Sequence, residues 1–222
     1  MCFSPEADLT GGVIAGVVGF DTLRHVERPQ QLVLAALPVV FAAHELDEVF
    51  VWLGLRGQVP WPVARVAIYV FLAVAFTLPF IVPLAILGVE PQRRRRRLLQ
   101  GLWVLGAVGT AGLLAGIAGA PISAVIEGNH IAYNVDLTYG NVLVVLYLLA
   151  TCGAMLAASN RVLVGLGLCN VVAVAALSYL TITGFTSLWC AWAAVSSVVI
   201  AVYLRRESRP VRMVESTSRV TA

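Results

Sequence analysis

The chain of 222 residues contains no lysine, since all 15 of its basic residues are arginine. Retinal and pyridoxal phosphate both attach to proteins through a lysine Schiff base, so the sequence excludes both cofactors. Histidine is scarce too, at three residues, and only His44 lies within an apolar run. A haem held in the membrane by two histidines is therefore not expected. No phosphate-binding loop, dinucleotide-binding glycine pattern or nucleophile elbow occurs either.

Charged residues are also few. They make up 12% of the chain, about half of the ~25% found in soluble domains. Hydrophobic residues make up 59%, the mean hydropathy is +0.88, and apolar runs of membrane-spanning length recur. The sequence therefore predicts a multi-pass protein whose main partner is the lipid bilayer. The net charge of +3 does not indicate nucleic acid, because the arginines occur in short segments between apolar runs.

Seven apolar segments predict an all-α integral membrane protein, a bundle of seven transmembrane helices. The start of the first is marked by Ser4 as N-cap, Pro5 at the first helical position, and the acids Glu6 and Asp8. Glycine pairs such as Gly12-x-x-x-Gly16 and Gly112-x-x-x-Gly116 predict close helix packing, and Pro79 and Pro83 predict a kink in the third span. The seven predicted spans are Pro5–Leu23, Gln31–Leu53, Pro62–Leu87, Leu98–Gly119, Asn141–Ala157, Val162–Ile182 and Phe185–Leu204.

Arginine placement predicts the orientation of the bundle. Loops on the cytoplasmic side of membrane proteins are enriched in basic residues. Here the arginines concentrate after the first, third, fifth and seventh spans, and only Arg56 and Arg65 run against this pattern. We therefore expect the N-terminus outside and the C-terminus inside a bacterial plasma membrane. Residues 1–206 form the predicted transmembrane domain, and the polar residues 207–222 a disordered cytoplasmic tail.

The second span contains an unusual group of ionisable residues, His44, Glu45, Asp47 and Glu48. At about 100° per residue, His44 and Glu48 share one helix face, and Glu45 and Asp47 flank them. A rise of ~1.5 Å per residue puts His44 about 20 Å from the cytoplasmic end of the span, hence in the outer half. Carboxylates at this depth need a shared proton, a cation or water. The string HELDE is an incomplete zinc-protease motif, because Glu48 replaces its second histidine.

The segment between the fourth and fifth spans predicts a short extracytoplasmic β-hairpin. Polar and larger apolar residues alternate from His130 to Tyr139, which is the periodicity of a strand. Gly128-Asn129 suits a two-residue turn, which would place Glu127 directly opposite His130. Such an acid–histidine pair can ligate a metal, transfer protons or form a solvated surface pair.

The four cysteines are separated by their depth along the predicted spans. Cys152 and Cys169 lie well within spans and are expected to be ordinary buried residues. Cys2 precedes the first span, has neither a basic segment nor a cleavage site before it, and is expected to be retained. It shares the outer side with Cys190, so the two could form a disulfide or act as thiolate ligands.

Several short stretches along the chain carry a resemblance to a known family. They are MCFS at the start, Glu48 followed by VWLGL, and then EPQRRRRR, HIAYNVD, LYLLATCG and TSLWC. The chain resembles a bacterial family of uncharacterised multi-pass membrane proteins that begin Met-Cys-Phe-Ser. The resemblance implies a membrane fold of several helices and supplies no activity. In that family the positions of His44 and Glu45 are commonly glutamines, which shifts weight to Cys2, Glu48, His130 and Cys190.

These observations support three functional hypotheses. The first is an outward-facing polar site that binds a divalent metal, zinc or copper, in a metal-dependent membrane enzyme. Its expected ligands are Cys2, His44, Glu48 and His130, with Cys190 as a ligand or disulfide partner and Glu45 or Glu127 as general base. The second is a transporter or proton-coupled carrier that uses the second-span acids. The third is a non-catalytic membrane subunit with a structural polar seam, and a homo-oligomer or a larger membrane complex is compatible with all three.

Overall fold

The computed structural model describes residues 4–119, 121–180 and 192–208, with the side chains of 177–180 left aside. Helices dominate this part of the chain, and two short strands form its antiparallel sheet. In chain order the elements are α1 Pro5–Arg24, a 3-10 turn at Pro29–Gln31, α2 Leu32–Leu55, α3 Trp61–Val89, α4 Arg93–Gly119, β1 Ile122–Glu127, β2 His130–Val135, α5 Gly140–Ala157, α6 Arg161–Leu180 and a helical segment α7 at residues 192–208.

Helix α1 begins as its sequence predicts. Ser4 has extended backbone geometry and accepts a hydrogen bond at its side chain from the amide of Ala7, at 3.3 Å. Pro5 occupies the first turn, where its missing N–H costs nothing. The first six predicted spans each coincide with a helix, and residues 192–208 cover the end of the seventh. Their helix extends two residues past the predicted domain limit at 206, while 209–222 lie outside the described residues.

Three of the described helices are long and apolar enough to cross a membrane, namely α3, α4 and α5. Helix α2 has 24 residues, or about 36 Å at ~1.5 Å per residue, but it carries three carboxylates. Helix α6 is apolar over Arg161–Ala176. Helix α3 continues through Pro79 and Pro83 as one helix of 29 residues, and the kink expected there stays a prediction.

The hairpin forms with the predicted register. Glu127 pairs with His130 and Ile122 with Val135. Gly128 has φ +60°, and the positive φ does not extend to Asn129, which fits a type II′ turn with glycine in its first central position. The strand alternation predicted as far as Tyr139 was wrong beyond Val135. The partner strand ends there, and the chain turns into α5, with Tyr139 in the left-handed region at φ 62°.

The bundle has two distinct ends. At the arginine-rich end, Arg205 binds Asp21 at 2.8 Å and Arg28 binds Glu207 at 3.1 Å, which joins the end of α7 to the α1–α2 connection. At the hairpin end, Ile131 packs against a core formed by the C-terminal part of α2 and the N-terminal part of α3. A larger apolar core fills the arginine-rich half. The helices therefore alternate in direction, and Asp8 and His44 lie towards the hairpin end.

Glycines allow the helices to approach closely, as predicted. A β-carbon at Gly12 would lie 2.7 Å from Leu46 of α2, and one at Gly112 would lie 2.7 Å from Leu143 of α5. At Gly106 it would lie 1.8 Å from the backbone oxygen of Pro79. That oxygen has no intrahelical donor, because the residue four positions on is proline. The small-residue positions therefore serve packing within the bundle.

Candidate functional site

The ionisable residues of α2 are buried inside the bundle. His44, Glu45 and Glu48 are 8%, 1% and 0% exposed, whereas Asp47 is half-buried. A single helix turn therefore presents two carboxyl groups and an imidazole to its neighbours rather than to the surroundings. The predicted polar cluster exists, and its partners come from α1, α3 and the hairpin.

Three aromatic rings connect α2 to the hairpin. The imidazole of His44 stacks on Phe71 of α3 at 4.0 Å between centroids, and Phe71 stacks on Tyr133 of β2 at 4.6 Å. His44 Nε2 lies 3.0 Å from the carbonyl oxygen of Phe71. A carbonyl can only accept, so Nε2 carries the proton in this bond. The sequence predicted His44 as a metal ligand, whereas this contact uses Nε2 to join α2 to α3.

Glu48 also contacts the hairpin. The hydroxyl of Tyr133 donates to Glu48 Oε1 over 3.4 Å, a long bond. Both residues belong to stretches that carry the family resemblance, Glu48 before VWLGL and Tyr133 within HIAYNVD. These two stretches are therefore in contact with each other, where the hairpin packs on α2.

A second buried acid faces this group from α1. Asp8 is 0% exposed and lies close enough to Glu45 for their negative charges to repel. Both carboxyl oxygens of Glu45 are buried and have no hydrogen-bond partner among the described residues. Sequence reasoning assigned Asp8 only to the helix start. Its position four residues before Gly12, on the glycine face that packs on α2, was the signal that could have identified it.

The predicted pair at the hairpin tip forms but recruits no further ligand in the described part of the chain. His130 Nε2 lies 4.0 Å from Glu127 Oε2, and the Glu127 side chain is 47% exposed. Among the described residues no three or more His, Cys, Asp or Glu side chains form a group able to hold a metal. Cys2 and Cys190 lie outside the described residues, so the metal hypothesis stays a prediction.

A separate polar contact occurs among α5, α6 and α7. Trp192 Nε1 donates to Asn170 Oδ1 at 2.6 Å, and Asn170 Nδ2 donates to the sulfur of Cys152 at 3.2 Å. Asn170 and Trp192 line a cavity of about 30 Å³, enough for one or two water molecules. Cys152 is buried as predicted, whereas the prediction for Cys169 was wrong, because Cys169 points away from the bundle and is exposed.

The arginine run has a structural role at the other end. Arg95 donates to the carbonyl of Ala158 at 2.7 Å, and Arg96 donates to that of Leu87 at 2.9 Å. The two arginines thus satisfy the last carbonyls of α5 and α3, which lack intrahelical donors. From the sequence, these arginines predicted only that the α3–α4 connection lies on the cytoplasmic side.

Glu90 joins the same two connections. Its carboxylate accepts hydrogen bonds from the amide of Gln92 at 2.9 Å, from the amide of Ser159 at 2.7 Å and from the Ser159 hydroxyl. Burial raises the pKa of Glu90, but these bonds and the nearby Arg95 outweigh it, so its pKa lies below the ordinary value. The ionised carboxylate therefore holds the α3–α4 connection to the α5–α6 connection.

With the geometry established, comparison with known proteins places the chain in a family. A family model described as a family of unknown function, DUF6629, matches residues 1–215. The chain belongs to this family, which agrees with the resemblance to an uncharacterised family. No curated protein and no solved structure matches the chain. Membership therefore assigns no activity, and the function has to be argued from the site.

Proposed function

We propose that this member of a family of unknown function is a seven-span membrane protein that acts as a proton-coupled carrier, with Glu45 as the proton-binding group. The surface of the bundle supports its insertion in a bilayer. Large apolar side chains point outward all along it, including Val17, Phe20, Val66 and Val172, each more than half exposed. An apolar surface of this extent suits contact with lipid. Helices α3, α4 and α5 have the length and apolarity to cross the membrane.

The two ends of the bundle support the proposed orientation. The contacts of Arg28, Arg95 and Arg205 gather these arginines at one end. Basic residues favour the cytoplasmic side, so this end faces the cytoplasm in the proposal. The hairpin and the buried acids then lie towards the outside.

The observation that carries the proposal is that both carboxyl oxygens of Glu45 are buried without a hydrogen-bond partner among the described residues. A buried carboxylate without a hydrogen bond is costly, and Asp8 adds a second negative charge nearby. A proton shared between Asp8 and Glu45 removes that cost. Ionisable groups placed this way inside transmembrane helices are typical of proton relays in carriers.

Loss of the shared proton would drive the conformational step. Among the described residues, the titratable groups around Glu45 are Asp8 on α1, Asp47, His44 and Glu48 on α2, and Tyr133 on the hairpin. The positive charge of the amino terminus also acts on Glu45, with a weaker effect than that of Asp8. Deprotonation therefore adds a negative charge beside Asp8 that the amino terminus offsets only in part, which favours separation of α1 from α2 and access to the site from the hairpin end.

Infrared spectroscopy tests the proton site directly, without a known substrate. We expect the purified protein to show a carbonyl stretch from a protonated buried carboxyl group, and we expect Glu45→Gln to remove that band. Asp136→Asn, at an exposed acid of the same end, is the matched control and should keep it. An unchanged band in Glu45→Gln would refute Glu45 as the proton-binding group and with it the carrier.

A metal-dependent enzyme is the second candidate, and the position of Asp8 favours it. Cys2 precedes Ser4 by two residues, so the chain itself limits the distance between its thiol and the α1 end that carries Asp8. Thiolate and carboxylate donors together suit zinc. In this version Asp8 joins the predicted ligands Cys2, Glu48 and His130. His44 and Cys190 are further candidate ligands, and Glu45 or Glu127 acts as general base.

Metal analysis distinguishes the two candidates. Under the enzyme hypothesis the purified protein carries about one metal ion per chain, and Cys2→Ser or His130→Ala lowers that content. Wild-type protein without stoichiometric metal would refute the enzyme. If neither metal nor proton transfer is found, the polar seam is structural and the third hypothesis applies.

A further inference from the structure

An open cavity of about 360 Å³ lies at the arginine-rich end, away from the buried acids. It opens where the α1–α2 connection, the start of α6 and the end of α7 meet. The residues lining it are Arg28, Asn160, Val162, Tyr203, Arg206 and Glu207. Neither the proton site nor the metal hypothesis uses any of these side chains.

The polar groups left over in this cavity are hydrogen-bond donors. Arg206 makes no ion pair or hydrogen bond with the described residues. Asn160 accepts a bond from the amide of Val162 through Oδ1 at 2.9 Å, which leaves its NH₂ group available. Tyr203 is 3% exposed, lines the cavity, and its hydroxyl has no partner among the described residues.

The single carboxylate among the lining residues is already paired. Glu207 accepts from Arg28 at 3.1 Å, which leaves the charge of Arg206 unbalanced within the cavity. Glu90 is a further acid in electrostatic range of Tyr203, and its oxygens are taken up by the Gln92 and Ser159 bonds. One guanidinium with an amide and a hydroxyl around it suits a tetrahedral oxyanion, because arginine presents several donors in a fixed plane.

We propose that this cavity binds a phosphate group, with Arg206 as the charged contact and Asn160 and Tyr203 as hydrogen-bond donors. In the proposed orientation the cavity lies at the cytoplasmic edge of the bilayer, where basic pockets between helices receive anionic lipid headgroups. A phosphodiester of an anionic lipid and free phosphate share this chemistry. The site is independent of Glu45 and of any metal.

Binding to the full-length protein in lipid nanodiscs tests the proposal. Native mass spectrometry would count phosphatidylglycerol retained from nanodiscs that also contain phosphatidylcholine, for wild type, Arg206→Gln and Tyr203→Phe. Arg94→Gln is the matched control, since Arg94 is an exposed arginine in the first turn of α4 at the same end. Loss of one charge-assisted hydrogen bond should weaken retention about tenfold or more in Arg206→Gln, with a smaller loss in Tyr203→Phe and little change in Arg94→Gln.

A second arm separates the two sources of phosphate. In detergent, inorganic phosphate and glycerol phosphate would be titrated while the unfolding temperature is followed. Stabilisation by phosphatidylglycerol and not by the small anions assigns the site to lipid, and the reverse assigns it to a soluble phosphate. Both results support a phosphate site, provided that Arg206→Gln abolishes the effect. Equal behaviour of Arg206→Gln and Arg94→Gln in both arms would overturn the proposal.

Discussion

The link between Glu90 and Ser159 leads to a prediction with a defined sign and size. Glu90 is 4% exposed and accepts three hydrogen bonds from two connections that are 69 positions apart in sequence. Glu90→Gln keeps one acceptor oxygen and turns the other towards the Ser159 amide as an NH₂ group. Because a hydrogen bond to a charged group contributes about 1.5–3 kcal/mol, we expect a loss of about 2–3 kcal/mol in the free energy of unfolding. For a chain of this length that corresponds to a fall of roughly 4–12 °C in the unfolding temperature.

The same link predicts a dependence on pH. The pKa of Glu90 is lowered in the folded protein from its ordinary value of 4.5. Its contribution is therefore complete above pH 4.5 and is lost as the pH falls from there through the lower pKa of the folded state. The unfolding temperature, measured in detergent from pH 7 downward, should fall in wild type over this range. It should fall less in Glu90→Gln, which has no carboxylate to protonate.

Glu27→Gln is the matched control, because Glu27 is exposed and its side chain forms no hydrogen bond or ion pair with the described residues. Ser159→Ala should cost less than Glu90→Gln, since it removes one donor and keeps the amide. The two changes together should cost less than their sum, because they break the same contact. If Glu90→Gln and Glu27→Gln had equal unfolding temperatures and equal pH profiles, the reasoning would be refuted.

Three further predictions concern the packing of the bundle. Gly106→Ala should destabilise the protein by about 1–3 kcal/mol or more, since its β-carbon would lie 1.8 Å from a backbone oxygen. Gly101→Ala should instead stabilise α4 by up to about 1 kcal/mol, because no atom lies within 4 Å of the β-carbon that it adds. Thermal unfolding of both variants checks the opposite signs. Phe71→Ala should lower the free energy of unfolding by about 3–5 kcal/mol, because Phe71 is 0% exposed and lies between two stacked rings. A destabilisation no larger than that caused by replacing an exposed valine with alanine would contradict the stacked arrangement. Cys152→Leu should destabilise the protein by about 1–3 kcal/mol, because Cys152 is buried and the larger side chain has to displace its neighbours, whereas Cys169→Leu, at an exposed position, should leave the unfolding temperature unchanged. Equal unfolding temperatures for the two variants would contradict the described burial.

Much of the architecture follows from local patterns. The start of α1 depends on Ser4 and Pro5, which act within one turn of helix, and the sequence identifies both. The hairpin register follows from Gly128, because a two-residue turn fixes which residues lie opposite each other. Helix positions follow from apolar runs of bilayer length. The strand was predicted to continue to Tyr139 because polar and apolar residues alternate that far. A strand also needs a partner strand for its hydrogen bonds, and the pairing ends at Val135.

The candidate site required the tertiary structure. Composition alone indicated a membrane protein without retinal or pyridoxal phosphate, and periodicity placed His44, Glu45 and Glu48 together on α2. What those side chains face depends on elements far away in sequence, since Asp8 comes from α1, Phe71 from α3 and Tyr133 from the hairpin. A sequence states the helix on which a charge lies, and only packing decides whether another charge, a ring or a carbonyl lies opposite it. For that reason the sequence identified Asp8 only as a helix-start residue, whereas the packing of α1 on α2 through its glycines places the Asp8 carboxyl group near Glu45.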